Sequence, residues 1–424
     1  MSQSQKKSLS VDHRDIVCST RGRKTICIPC SEQQYNKIVS DKDAFKSYID
    51  ESYIAHPELF PLDMAGGYEL FGFQTTSTKL GIKLRRIRLK DTEDVYTVRP
   101  SFVMPYMTER VENVEKVMFL RRFDVPYWAL TYVFGRDDMY WYRMEMSFGR
   151  NSIVGTTVKD AKKMPKDVAS DEKHTHHKGE KVYIATTVAN ECILGASISL
   201  SAGTEDLSQA YGVFQKEVHN VDPDYQPETV NTDGWEATGK AWKKLFPGIT
   251  VILCFFHAFL SIQKRCTKKP GDLVKHRGER VWKVYKAENK RSFMQRARRL
   301  REWAEKNLDG IVLEKVKSLC EKAPLFTKAY EHPDAYRTSN MVDRLMRWQD
   351  QYLFNRQYFH GKLESAELGV RAWVLLRNFQ PYCSRITGQK MTYVSAAVKL
   401  NGFCYRENWL ENLLVSASMY GYRQ

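Results

Sequence analysis

Between Pro165 and Phe255 the residue pattern changes in an order that few folds can accommodate. Asp167 to Glu172 is a short extended run, and Lys181 to Val188 (KVYIATTV) and Cys192 to Leu200 (CILGASISL) are β-branched and apolar, so all three read as strands. Glu205 to Val218 is amphipathic at helical spacing, Glu228 to Asp233 is extended, Trp235 to Leu245 is helical, and Ile249 to Phe255 is an apolar run of strand length. Three strands with no helix between them form a meander, whereas strands separated by helices are joined by parallel crossovers. The expected core is an α/β mixed sheet in the order β-β-β-α-β-α-β, which is the order of the RNase H fold.

The chain can build such a core and more. It has 424 residues, 42% of them hydrophobic and 12% aromatic, enough for two or three domains. Lys and Arg outnumber Asp and Glu by 66 to 50, a formal charge of +16, so a polyanion is the natural partner. The longest apolar run, Ile249 to Leu260, holds a histidine and is too short to span a bilayer, so no membrane association is expected. The polar start MSQSQKKSLSVDHRD lacks the apolar segment of a secretory signal, and nine scattered cysteines resemble reduced thiols; a cytoplasmic location is expected.

Ahead of the core, residues 1–95 read as a small α+β module. Ser31 opens a capping box completed by Gln34, and Lys79 to Lys90 forms a basic strand. Residues 96–165 read as helical: Arg110 to Arg122, then Val125 to Val133 with Asp124 as cap and Pro126 in the first turn, then Asp137 to Met146. Gly149 sits in a turn, and Ser152 can cap a further helix through IVGTTVKDA. Helix, glycine turn and helix are the parts of a helix-turn-helix, with Arg150, Asn151 and Lys159 as candidate DNA contacts; a plain helical bundle has the same parts.

Behind the fifth core strand, about 259–336 is helical and strongly basic. Lys264 to Lys306 carries sixteen Lys or Arg against five Asp or Glu, interleaved with Trp282, Tyr285, Phe293 and Trp303. Lys264, Arg265, Lys268, Lys269, Arg296, Arg298 and Arg299 are the candidate phosphate contacts; alternatively the surface is merely solvated and the aromatics form a core of their own. The catalytic domain would then run over 166–380, with a tail at 381–424.

Two-metal phosphoryl chemistry needs carboxylates that converge from separate elements. Asp171 lies on the first core strand, with Glu172 on the opposite face, and Asp233 ends the fourth strand beside it. Asp343, in RTSNMVDRLMRW, stands in the first turn of a helix after the last strand. It competes with Glu364 and Glu367, and could instead pair with Asn340 as a helix cap. His174, His176 and His177 read as a solvated turn. Cys254 and His257 form a C-x-x-H pair that, with Cys266 and His276, offers a structural zinc site, as do His13, Cys18, Cys27 and Cys30; buried thiols are the default for both.

From about Lys166 onward the chain resembles the DDE/D transposases of bacterial insertion sequences, in the Mutator-like group. The segment DEKHT is similar to the first-aspartate strand, TDGWEATGKAWKKLFP to the second-aspartate block, CFFH to the C-x-x-H that follows it, and RTSNMVD to the block carrying the third acid. YFHGKLESAELGVRAWVLLRNFQPY is similar to the tail after that block, while residues 1–160 resemble such enzymes only in general organisation. One departure is that Asp343 stands where the third acid is usually glutamate.

The resemblance implies a transposase that cuts DNA at element ends and joins it to a target. Two Mg²⁺ or Mn²⁺ ions would be held by Asp171, Asp233 and Asp343. It implies double-stranded DNA as partner, both terminal inverted repeats and target, and a homodimer or larger synaptic assembly. Another RNase H-like nuclease of resolvase type, or a DNA-binding protein descended from a transposase, are the rival readings.

Overall fold

The computed structural model describes residues 24–74, 80–266, 271–338, 340–383 and 394–422. The chain divides into two compact units. One is built from the chain up to Lys159 together with Lys362–Val398 and the chain from Gly402; the other is Asp160–Gly361 with Lys399–Asn401.

In the first unit, β1 (Thr25–Ile28) is followed by helices α1 (Glu32–Ile38) and α2 (Lys42–Ala55), then by β2 (Tyr68–Phe73), β3 (Arg85–Leu89) and β4 (Val95–Pro100). The sheet order is β1-β4-β3-β2, with β1 parallel to β4 and the other pairs antiparallel. Ser31 caps α1 by accepting a hydrogen bond from the Gln34 N–H, as the capping box requires. The basic strand is shorter than expected. Arg85, Ile87 and Leu89 face inward, and the buried Arg85 guanidinium donates to the Val39 carbonyl at 2.6 Å.

Helices α3 (Val111–Arg121), α4 (Tyr127–Phe134), α5 (Asp138–Phe148) and α6 (Ile153–Thr157) follow. Asp137 caps α5, but Asp124 does not cap α4: it sits at φ 54°, and Pro126 takes the cap position. Arg121 and Glu145 form a buried ion pair that ties α3 to α5, and Tyr127 of α4 donates to the same carboxylate at 2.9 Å.

The second unit contains the expected sequence of elements: β5 (Asp167–His177), β6 (Glu180–Ala189), β7 (Cys192–Ser199), α7 (Thr204–Val221), β8 (Thr229–Thr232), α8 (Glu236–Leu245) and β9 (Thr250–Leu253). They form one sheet in the order β7-β6-β5-β8-β9, with β5, β6 and β7 antiparallel and β8 parallel to both β5 and β9. Helix α7 packs on β6 and β7 and against α8, burying Tyr211, Phe214, Trp242 and Phe246 between them.

The chain continues through α9 (Phe255–Cys266), α10 (Gly271–Tyr285), α11 (Lys290–Asn307), α12 (Gly310–Glu321) and α13 (Ala323–Phe326), and then α14 (Asn340–Asn355). Helices α9–α13 have a core of their own around Phe255, Phe293, Leu300, Leu319 and Phe326, with Trp282, Tyr285 and Trp303 packed against it. The aromatics among the cations therefore face inward, which leaves the charges on the outer surface.

Helices α15 (Leu363–Phe379), α16 (Ala396–Asn401) and α17 (Trp409–Ser416) complete the chain. Helix α15, expected to belong with the catalytic core, is part of the first unit and is buried along most of its length. It packs on α5, and the buried Arg371 donates to the carbonyls of Gly149 and Asn151 at 3.0 and 2.8 Å. This corrects the helix-turn-helix expectation. Gly149 is required by close approach, since a Cβ there would lie 2.0 Å from the Leu368 carbonyl oxygen. Helix α6 has five residues, all buried, against α15, α17 and the turn Ser418–Gly421, so it presents no face to a DNA groove.

Candidate metal centre

The second unit gathers Asp171, His257 and Asp343 from three elements that the sheet holds in place. Asp171 lies on β5 two residues beyond Ala169, where the pairing with β8 ends at Asn231. Carried two residues further, the same register sets Asp171 level with Asp233. His257 is in the first turn of α9, immediately after β9: the Cys254 N–H extends the β8·β9 ladder by donating to the Thr232 carbonyl at 2.7 Å, and the helix starts at the next residue. Asp343 is in the first turn of α14. Together the three residues offer ligand atoms that all lie within 4.8 Å of one another. His257 Nε2 is 3.9 Å from Asp171 Oδ2 and 3.8 Å from Asp343 Oδ1.

Charge explains why this arrangement suits a cation. Burial pushes the Asp171 carboxyl up to about 6, and the negative charges of Asp233 and Asp343 push the same way while His257 opposes them. Burial works against charging His257, but the hydrogen bond and charge of Cys254 and the carboxylates of Asp171 and Asp343 outweigh it and lift the imidazole to about 9. An imidazolium thus compensates the two acids. A divalent ion would supply that compensation in its place, and one carboxylate–imidazole–carboxylate set can hold a metal ion. Donors at 2.0–2.2 Å from one ion stand roughly 3–4 Å apart, and the two spacings to His257 fall in that range.

Asp233 is exposed and is not within this three-residue group; its carboxylate accepts from the Trp235 N–H at 2.8 Å, at the start of α8. Gly234 makes the turn between them. Its φ of +92° is open at low cost only to glycine, and a Cβ there would also lie 3.1 Å from Leu253.

 Glu172 points to the other face of β5. There it accepts hydrogen bonds from the hydroxyls of Tyr211 (2.7 Å) and Thr238 (2.6 Å), and burial pushes its carboxyl up to about 7.

Of the rival third acids, Glu364 and Glu367 both belong to α15 in the first unit, where Glu367 is buried. Of the C-x-x-H pair, His257 lies beside the two aspartates, and Cys254 is a buried residue that hydrogen-bonds it; the side chains of Cys266 and His276, the other members of that candidate zinc group, lie outside the described residues. Nothing local in the sequence marks His257 as a partner of Asp171. The available signal was its position, one helical turn past the end of β9, which neighbours the strand leading to Asp233. Cys27 and Cys30 are buried thiols, both pushed up to about 11 chiefly by burial. His13, Cys18, Lys268, Lys269 and the side chains of Arg265, Cys266 and His276 lie outside the described residues.

The expected DNA contacts divide. Asn151 and Lys159 are buried, and their polar groups are used internally: Asn151 donates to the Phe148 carbonyl, and the Lys159 ammonium to the carbonyls of Gly155 and Ser416 at 2.8 and 2.7 Å. Neither is available to DNA, because withdrawing it would leave buried carbonyls unpaired. Arg150 is exposed, with a hydrogen bond to the Tyr106 hydroxyl. Lys264, Arg298 and Arg299 are exposed, Arg298 pairs with Glu302 one turn on, and Arg296 donates to the Lys283 carbonyl. His174, His176 and His177 lie on β5 itself, which runs five residues further than expected. Among the described residues no helix is long and apolar enough to cross a membrane. No protein-family model matches the chain, and no curated protein matches it.

Proposed function

We propose that the second unit is an RNase H-like nucleotidyl-transfer core and that the chain is a DDE/D-type transposase, which cuts DNA at the ends of an element and joins it to a target. The observation that carries this reading is the convergence of Asp171 from the central strand, His257 from the turn after β9 and Asp343 from α14, beside the exposed Asp233. Carboxylates from separate elements at one end of a mixed sheet are what two-metal phosphoryl transfer demands.

Asp171 and Asp343 would hold the first Mg²⁺ or Mn²⁺, with His257 completing the set; an imidazole donor favours Mn²⁺ over Mg²⁺. Asp233, exposed and level with Asp171, is free to share a second ion. Bound ions would make a water or a DNA 3′-hydroxyl a better nucleophile and stabilise the leaving oxygen. Cys254 orients His257 through their hydrogen bond. The cationic outer surface of α9–α11 would track the DNA backbone without reading sequence.

The test is cleavage and joining of labelled DNA carrying the flanking element's ends, in Mg²⁺ and in Mn²⁺, by wild type and by Asp171→Asn, Asp233→Asn and Asp343→Asn. Metal-dependent nicking and strand transfer by wild type, lost in each variant, is the expected result. Nicking without joining would move the reading to a resolvase-like nuclease, and binding without cleavage to a DNA-binding descendant.

A further inference from the structure

Beyond Ala169 the β8 side of β5 has no strand partner among the described residues until His177, where Phe359 bridges to it. An open cleft of about 400 Å³ lies along that stretch, between β5 and the C-terminal turn of α14, and its volume is within the roughly 300–1,000 Å³ of small-ligand sites. Lys173, His174 and His176 line one side, and Asp350, Phe354 and Tyr358 the other.

Phe354 is 75% exposed and Tyr358 46% exposed, so two aromatic rings of the lining are open to solvent. Tyr358 and the preceding Gln357 have φ of 71° and 51°, a conformation that costs non-glycine residues about 1–3 kcal/mol each and tends to persist where function needs it. The His176 ring meets Tyr358 edge-on at 5.5 Å, which helps hold the tyrosine in place. Lys173 and Asp350, the lysine and the carboxylate of the lining, are ion-paired with each other, and Lys181 is a second cation that acts on His174.

The cleft is close to the metal centre. Lys173 follows Asp171 by two residues on one strand, about 7 Å, and Asp350 follows Asp343 by two helical turns, about 10 Å. Even at the rise of about 3.4 Å of a stacked strand, that is at most about three nucleotides.

We propose that this cleft receives one unstacked nucleobase of a DNA strand leading away from the acidic site, with the base stacked on Phe354 and Tyr358. The inference rests on the DNA-processing reading above for the source of the strand. It adds a contact that grips a single-stranded segment next to the cut and so fixes where the strand crosses Asp171 and Asp343. Stacking on aromatic rings tolerates any base, so the cleft sets position rather than sequence.

The test uses the full chain in EDTA, so that cleavage plays no part, and a short single-stranded oligonucleotide in which one base after another is replaced by aminopurine. Wild type is expected to change the aminopurine fluorescence sharply at one position. Phe354→Ala is expected to abolish that change and weaken binding about 5- to 150-fold, Phe354→Leu to behave like it, and Phe354→Trp to restore both. Phe354 is so exposed that these variants should keep the wild-type circular dichroism. Equal binding and equal fluorescence by wild type and Phe354→Ala would overturn the cleft while leaving the DNA reading intact. Recovery of binding by Phe354→Leu would mean an apolar partner rather than a stacked base. Failure of wild type to bind any DNA, double- or single-stranded, would remove the reading on which the cleft depends.

Discussion

Replacing Glu172 by glutamine should stabilise the protein at neutral pH. The carboxyl accepts both of its hydroxyl hydrogen bonds, from Tyr211 and Thr238, on the same oxygen, so a glutamine carbonyl can keep them. Burial, with the nearby charges of Asp171 and Asp233, holds the folded-state carboxyl at about 7 against an ordinary 4.5. The folded protein therefore retains a proton that the unfolded chain has released. This contribution is fully present below pH 4.5 and is lost as the pH rises through 7. The gap, at roughly 1.4 kcal/mol per pH unit, corresponds to about 3 kcal/mol. Glu172→Gln does not titrate, so it should match wild type near pH 4.5 and exceed it by up to about 3 kcal/mol at pH 8. Denaturant midpoints of the two proteins in chelator, compared across that range, provide the measurement. A variant less stable than wild type at pH 8, or a difference that does not change with pH, would refute the argument.

Two further outcomes follow from the same geometry. Calorimetric titration with Mn²⁺ should show affinity rising between pH 6 and 9, as Asp171 and then His257 give up their protons to the ion, and His257→Ala should bind at least tenfold more weakly with a flatter pH profile; pH-independent binding would exclude these ligands. In the first unit, Glu145→Ala leaves Arg121 buried without its carboxylate and should cost about 3–5 kcal/mol, read from denaturant unfolding, whereas a loss below 1 kcal/mol would mean that the ion pair is solvated.

What the sequence made legible was local. The strands and helices of the second unit follow from β-branched runs, amphipathic spacing and caps that each segment carries within itself, and the sheet order then brings the two aspartate strands side by side. His257 was harder to place, because its partner residues lie 86 positions upstream and downstream of it, at 171 and 343. The expected recognition helix failed for a non-local reason. Its residues Ile153–Thr157 are covered by α15, α17 and the turn Ser418–Gly421, more than 200 residues later in the chain. The polar side chains of Asn151 and Lys159 looked like surface groups, yet they satisfy carbonyls inside that packing.

The divided first unit also constrains the order in which a ribosome can deliver a working protein. Strand β1 and helix α6 emerge early, but the segment that covers them, Trp409–Gly421, is translated some 250 residues after Lys159. At about 5–20 residues per second, the N-terminal part of this unit waits roughly 10 to 50 s with its apolar face open, while the intervening unit can collapse around its own sheet as soon as it leaves the tunnel. A nascent chain stalled before Trp409 would therefore keep the apolar faces of β1 and Ile153–Thr157 uncovered.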